Sequence, residues 1–541
     1  MIRLALALKF LPIDLQSRSP KAGIQSDFSL RGSTFQGVLV LINGQRVNDP
    51  QTAHHNSDIP ITQADISAVE VFPGANSSLL GPDAIGGAIN FQLKKPEEKK
   101  RVLEFSFEGH NSGSALFSIT EKMHNLGVRL SVERQQSSGF RYDTDYKKLT
   151  STFNSSLELP RGNMDLMFGY QQKAFGAYDF YTQAMGYPSK EWTRTYLLNS
   201  GLSWDQAGFL FKPSFLWRRH FDKFMLDKTF IRSSYLSHHR TDMFTPGIYA
   251  QKETKVLGKI GLGFEYSEEI INSTSLGKHS RYQKSVFVDD ALNLFPKLSL
   301  GLSWRRDDFE AFHANYTGGL NAKYEFTEGK SFSFGIAKNI RVPSFTELYY
   351  NDPTTLGNDS LSTEESLNYQ AGYELKNEKL NFSQAFFYRQ EEDLIDWVKR
   401  TPSQAKWQVE NITQADVLGL ENRVKLTLNK YLDSELNYTY LNKSIKSQGY
   451  LYKYGQNFTN HLVSASFKIQ LPFGEQSFIF SFKKKPNRRG WLLLDSYLSL
   501  RLPKNSQAFV KATNLFNVEY QEIEGIPQPG RWVEGGLRFD W

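Results

Sequence analysis

The chain has 541 residues, 40% of them apolar and 14% aromatic, and contains no cysteine. No run of about eighteen apolar residues occurs, which excludes a membrane protein built of helices, and the missing cysteines exclude a disulfide framework, a thiolate metal site and a cysteine nucleophile. The net charge of +7, from 64 basic and 57 acidic residues, is gathered into no block, so nothing marks a nucleic-acid partner.

In chain order, Met1 to Leu8 carries one basic residue, an apolar stretch too short for a secretion signal and no small-x-small cleavage site. Two apolar runs follow, at residues 38–42 and 69–72. Each has strand length and stops at a turn pair, Asn43-Gly44 and Pro73-Gly74, which predicts two strands of a compact sheet. Residues 74–88 are almost all small, with Gly81, Gly86 and Gly87 allowing tight turns where larger side chains would collide. This backbone is expected to fit a confined space.

Arg31-Gly32, Val40-Leu41-Ile42-Asn43-Gly44, Val69-Glu70-Val71 and the stretch from Ser77 to Phe91 fall in one order. That ordered set resembles the plug of TonB-dependent outer-membrane receptors. Leu8 to Gln16 is similar to the family's segment in which a helix ends at Leu-Pro-Gly-Val, with Ile13 in place of Gly. On this resemblance the chain begins inside the plug, and the secretion signal, the TonB box and the plug's first strand would lie upstream of Met1.

The plug is expected to span residues 1–97 and a barrel residues 98–541. Period-two alternation begins after the charged turn 94–101, as in Leu103-Glu104-Phe105-Ser106-Phe107-Glu108, and recurs at residues 436–440, 478–482 and 492–502. Such alternation turns one set of side chains to lipid and the other to a polar lumen. The 41 Phe and 26 Tyr suit a lipid-facing barrel surface. Short turns at 159–163, 327–330, 376–379, 471–475 and 502–505 suit the periplasmic rim. Longer stretches at 175–194, 222–240, 349–363 and 444–457 read as extracellular loops. Divided among the 22 strands that the resemblance implies, residues 101–541 leave about 20 each, enough for a strand of about ten plus a connection. The fold class is therefore an all-β membrane protein, a 22-stranded antiparallel transmembrane β-barrel with an N-terminal α/β plug in its lumen.

Further family-like segments follow in order: Arg341-Val342-Pro343-Ser344-Phe345-Thr346-Glu347-Leu348, Gly357-Asn358 with Thr363-Glu364-Glu365-Ser366, Phe387-Tyr388-Arg389, Gly419-Leu420-Glu421 and Asn514-Leu515-Phe516-Asn517. The last strand alternates Val533, Gly535, Leu537, Phe539 and Trp541. In outer-membrane barrels a terminal aromatic serves recognition by the assembly machinery, a role the resemblance gives to Phe539 and Trp541.

No catalytic constellation stands out, so no enzyme, cofactor or metal site is expected. His54-His55 reads as a solvated or ligand-contacting pair in a polar loop, Asp143-Thr144-Asp145 as a turn, and Lys483-Lys484-Lys485 as a solvated strand end. By resemblance, two plug arginines pair with two barrel glutamates, and the matching positions are Arg31, Glu364 and Glu421. Pro73 stands where the second arginine belongs, which predicts a plug held less tightly or a glutamate nearer solvent. Gly32, Gly44, Gly74, Gly81, Gly86 and Gly87 are the expected plug turns. Arg18, Lys21, Gln25, Asp27, His54, His55 and Asn56 near the plug apex, with Tyr178, Tyr181, Tyr349 and Tyr350 in loops, are candidate substrate contacts; such aromatics serve equally as an interfacial girdle.

The resemblance implies active uptake of a large scarce solute, of the ferric siderophore or cobalamin class, by a multi-pass barrel of the cell outer membrane. The implied partners are TonB of the inner-membrane energising complex (its contact segment absent here), outer-membrane lipid, the barrel-assembly machinery and a small-molecule or metal-chelate substrate. The receptor is expected to be a monomer. A passive porin would lack the plug. A plugged receptor or adhesin without TonB coupling is the other reading.

Overall fold

In a computed structural model, the residues described are 11–19, 24–76, 78–182, 185–230, 236–446 and 449–541. The expectations for Met1 to Phe10, Lys21 and Ser77 lie outside them. The wall is a closed barrel of 22 antiparallel strands, from Lys100–Glu108 to Trp532–Asp540, which pair with each other to complete the ring. No described helix is long and apolar enough to cross a membrane. The alternation of the strands sets the two faces of the wall. In Lys100–Glu108 the side chains of Glu104 and Ser106 are buried in the lumen, while Phe105 and Phe107 stand exposed on the outer surface. In Trp491–Leu502, Leu493, Asp495 and Tyr497 point in, and Leu492 points out.

The five short turns lie on the rim that also carries both ends of the barrel chain. The loops of the other rim are shorter than the sequence suggests. Strand Gly162–Gly176 is extended to its end by pairing with Lys190–Gln206, and Phe209–Met225 pairs with Leu236–Thr254 up to Met225 and Leu236. Residues 190–194, 222–225 and 236–240 therefore belong to the wall, because each finds a backbone partner on the neighbouring strand.

Inside lie a two-stranded sheet, β1 (Ile13–Ser17) with β2 (Ser26–Leu30), and a four-stranded sheet. The latter contains β3 (Val38–Ile42), β4 (Gln45–Arg46), β5 (Ile66–Pro73) and β6 (Gly87–Leu93) in the order β4-β3-β6-β5, with β3 and β6 parallel. The two expected strands are thus present but not adjacent: β6, drawn from the glycine-rich tail, lies between them. Residues of β3 alternate between two apolar surroundings. Val38, Val40 and Ile42 pack with Ile89, Phe91 and four wall side chains, Met167, Leu197, Leu216 and Met243. Leu39 and Leu41 pack on Ala84 and Ala88. Asn43 and Gly44 both have positive φ, 48° and 81°, as a two-residue hairpin turn requires. The close fit of the small-residue tail is explicit at Gly86, where a Cβ would lie 2.4 Å from the Leu30 carbonyl oxygen. At Gly74 a Cβ would lie 2.6 Å from Oδ1 of Asn368 in the wall.

Candidate functional site

Because the wall's lumen face is polar, the plug is held by charge and hydrogen bonds as well as by its apolar seat. Arg31, in left-handed conformation at φ 49°, donates from Nε and Nη2 to the two carboxylate oxygens of Glu421 at 3.0 and 2.6 Å. Its guanidinium also lies 4.2 Å over the ring of Phe387. The carbonyls of Arg31 and Gly32 accept from Arg389 and Lys443 of the wall.

Glu364 is placed differently from the expectation. Its oxygens accept from Nε and Nη2 of Arg341 at 2.7 and 3.0 Å and from the Ile395 N–H at 2.6 Å, so its partner is a wall arginine. Arg341 also holds Glu347, the residue that caps the short helix Phe345–Tyr349. Glu364 is buried rather than near solvent, and it does not fasten the plug directly. A second plug arginine nevertheless reaches a barrel glutamate: Arg46 donates to Glu269 at 2.9 Å and to Asp83 at 2.7 Å. Loss of the arginine at Pro73 is thereby offset from another strand.

Four plug carboxylates make pairs of the opposite polarity. Asp49 pairs with Arg218, Asp58 with Lys173, Asp65 with Arg129 at 2.9 Å and Asp14 with Lys483 at 3.0 Å. Burial opposes ionisation of Asp14, but Lys483 and Lys485, with hydrogen bonds from Lys483 and Thr459, outweigh it and hold the carboxyl at about 2. Lys483 and Lys485 are therefore not a solvated strand end. The first bonds Asp14 and Glu522, and Lys485 is buried against Asn457 and the Glu522 carbonyl. Their positions carry a sequence signal: Arg129, Lys173 and Arg218 share the lumen phase of their strands, where a charge needs a partner from the plug. Backbone contacts add to the hold, with Asp83 N–H donating to Ile340 O, and Phe345 N–H to Pro50 O.

At the apex the expected contacts form two groups. Arg18 pairs with Asp27 at 2.5 Å and donates to the Phe180 carbonyl, while His54 Nδ1 lies 2.8 Å from the other Asp27 oxygen. The His54 ring stacks on Phe35 at 4.2 Å, with Tyr181 and Tyr454 at 5.8 and 6.3 Å. Burial again opposes ionisation of Asp27, but Arg18 and His54 hold its carboxyl at about 2; burial pushes the His54 imidazole below its ordinary value despite Asp27. Gln25 is fully buried and donates to the His54 carbonyl. Two extracellular loops thus meet over a charged and aromatic plug tip. His55 and Asn56 belong to a second, deeper group. Asn56 accepts from the Asp49 N–H at 2.8 Å, and the His55 ring lies tilted against that of His220 of the wall, 4.5 Å between centroids. The His pair is not a solvated loop: His55 is 3% exposed.

The remaining aromatics pack elsewhere. Tyr178 sits on Arg141 and Tyr142, Tyr349 stacks on His279 at 3.6 Å, and Tyr350 packs with Leu348 and Trp397 in a cluster beneath the loops. Asp143 forms the expected turn, with φ 52°, and binds Lys228. Phe539 pairs with Leu103 and Ser506 across the closing strands, and the backbone of Trp541 exchanges hydrogen bonds with Arg101.

A family model described as the TonB-dependent receptor plug domain matches residues 4–88, and one described as the TonB-dependent receptor-like β-barrel matches residues 118–515. Among curated relatives, a vitamin B12 transporter BtuB of Photobacterium profundum is 22% identical over 440 residues, covering 77% of this chain and 69% of the relative. An iron-regulated outer membrane virulence protein of Vibrio cholerae is 22% identical over 502 residues, covering 83% and 74%. Among solved structures, a ferric enterobactin receptor mutant of Pseudomonas aeruginosa in complex with enterobactin superposes with a TM-score of 0.82 at 17% identity, covering 100% of this chain and 97% of that one.

Proposed function

Since the chain belongs to the TonB-dependent receptor family of the outer membrane, we propose that it takes up a large, scarce solute of the ferric siderophore or cobalamin class, energised through TonB. The observation that carries this reading is the plug tip. Arg18, Asp27 and His54, with Phe35, Tyr181 and Tyr454, form a charged and aromatic patch beneath extracellular loops, held by side-chain contacts that a bound solute replaces. A metal chelate or corrinoid offers the carbonyls, charges and flat surfaces that such groups recognise. The polar plug–wall seam supports movement, because hydrogen bonds and ion pairs there exchange for water as the plug shifts.

The test is complementation. The native gene is expressed in cells that lack their own receptors for each substrate, and growth is followed with single ferric siderophores as iron source or with cobalamin as a required nutrient. We expect one class to support growth, with all growth lost when TonB is deleted. A barrel that reaches the outer membrane yet supports uptake of neither class overturns the reading and favours a plugged receptor without transport.

A further inference from the structure

Below the plug tip, five buried side chains converge on the seam between plug and wall. His55 and Asp58 come from the plug, Glu191 from strand Lys190–Gln206, and His220 and Asp222 from strand Phe209–Met225. One ligand-type atom from each of His55, Asp58 and His220 lies within 4.8 Å of the other two, and the same holds for His55, Glu191 and Asp222. Each of the five is at most 5% exposed.

How their hydrogen bonds are spent is the informative part. Asp58 gives Oδ1 to Lys173, Glu191 gives Oε2 to the Tyr181 hydroxyl at 2.8 Å, and Asp222 gives Oδ2 to Gln51 at 3.3 Å. Each carboxylate keeps its other oxygen without a hydrogen-bond partner among the described residues. The imidazoles behave alike. His220 is oriented through Nδ1 by the Thr195 hydroxyl at 2.9 Å, leaving Nε2 without a hydrogen bond and 4.0 Å from Asp58 Oδ2; Nδ1 of His55 also makes none, and its Nε2 lies 3.6 Å from Asp222 Oδ2. A buried polar atom left so has given up its hydration with nothing in exchange. Two triads that share His55 thus meet at the seam, and Asp58, Glu191, Asp222 and His220 are each fixed from behind by a second contact, as a cation's ligands are.

We propose that this receptor binds one divalent transition-metal ion of the zinc class at the seam, held by His55, Asp58 and His220, with Asp222 or Glu191 filling the fourth position. Two imidazoles with carboxylates suit zinc, cobalt or nickel, whereas calcium and magnesium call for oxygen ligands throughout. Zinc at about 2.0–2.1 Å from its ligands requires these atoms to draw in by about 1 Å, a matter of side-chain rotation. A cavity of about 560 Å³ at the extracellular ends of neighbouring strands borders Lys173, Asp222 and His239 and supplies a route in. Because its ligands come from both bodies, the ion ties plug to wall and is distinct from the solute recognised at the tip.

The purified full-length receptor in detergent, stripped with chelator, is titrated with zinc and with cobalt. The expected results are one ion per chain by elemental analysis and a cobalt ligand-field spectrum of a four- or five-coordinate nitrogen and oxygen site. His55→Ala on the plug and His220→Ala on the wall should each abolish stoichiometric binding. Thr195→Val, which only releases the His220 ring, should weaken it about 10–100-fold. A wild-type cobalt spectrum of the hydrated ion, calcium binding as tight as zinc, or full affinity in either histidine variant overturns the proposal. If a histidine variant fails to assemble, the wild-type spectrum and Thr195→Val decide.

Discussion

The ion pairs that hold the plug to the wall differ in burial. In Arg31 with Glu421, where the plug supplies the cation, the carboxylate retains 17% exposure. In Asp58 with Lys173 and Asp49 with Arg218, where it supplies the anion, at most 3% of either side chain is exposed, while Arg46 with Glu269 and Asp14 with Lys483 lie between. Removing one member of a buried pair strands the other charge, whereas a partly wetted partner is rescued by water. The Asp49 and Asp58 pairs are therefore firmer attachments than the Arg31 pair, which a pulling force should release first.

The largest effect should come from Lys173→Met, which leaves Asp58 buried without its cation at a cost of about 3–5 kcal/mol. Hydrogen exchange of the β3 and β6 amides, with barrel amides as the internal reference, should rise steeply; unchanged protection would remove the distinction between the two sides. Arg31→Met should cost about 1.5–3 kcal/mol and loosen mainly residues near β2. An effect as large as that of Lys173→Met would reverse the ranking. Acidification should act more gently. Asp14 and Asp27 are depressed to about 2, below the ordinary carboxyl value of about 3.9. Their stabilisation is complete above that ordinary value and is lost as pH falls through about 2. Protection of the β1–β2 hairpin should accordingly fall between about pH 4 and pH 2, while an onset near pH 6 would point to another group. Smallest of all, Glu364→Gln should leave plug exchange unchanged and loosen the Phe345–Tyr349 helix through Arg341, and a plug response would restore Glu364 to the seam.

What could be read from the sequence follows the same division. Period-two alternation needs only local spacing, so Phe105 and Phe107 could be placed on the lipid face and the short turns on one rim. Arg31 and Glu421 occupy positions that a family pattern marks. Asp58 and Lys173 carry no such mark, since they are separated by 115 residues and meet only once the plug has its orientation in the lumen. Glu364 was legible as a carboxylate in need of an arginine, but three arginines, Arg31, Arg341 and Arg389, lie within the family motifs and spacing does not choose among them. His55 showed its neighbour in sequence, His54, and hid its neighbours in space. Glu191, His220 and Asp222 reach it from two wall strands whose ends the sequence assigned to loops.

The pairing of Lys100–Glu108 with Trp532–Asp540 also fixes where the ring must close. Until the final residues are inserted, the nascent sheet has two open edges at this one seam, and its lumen is accessible from the side. The plug's last strand ends at Leu93 and the wall begins at Lys100, so a short tether keeps the plug beside that gap at a high effective concentration. The paired backbone hydrogen bonds of Arg101 and Trp541 close the ring beside that tether. A defect at this seam would be expected to yield open sheets with an undocked plug, degraded before they ever face the cell exterior.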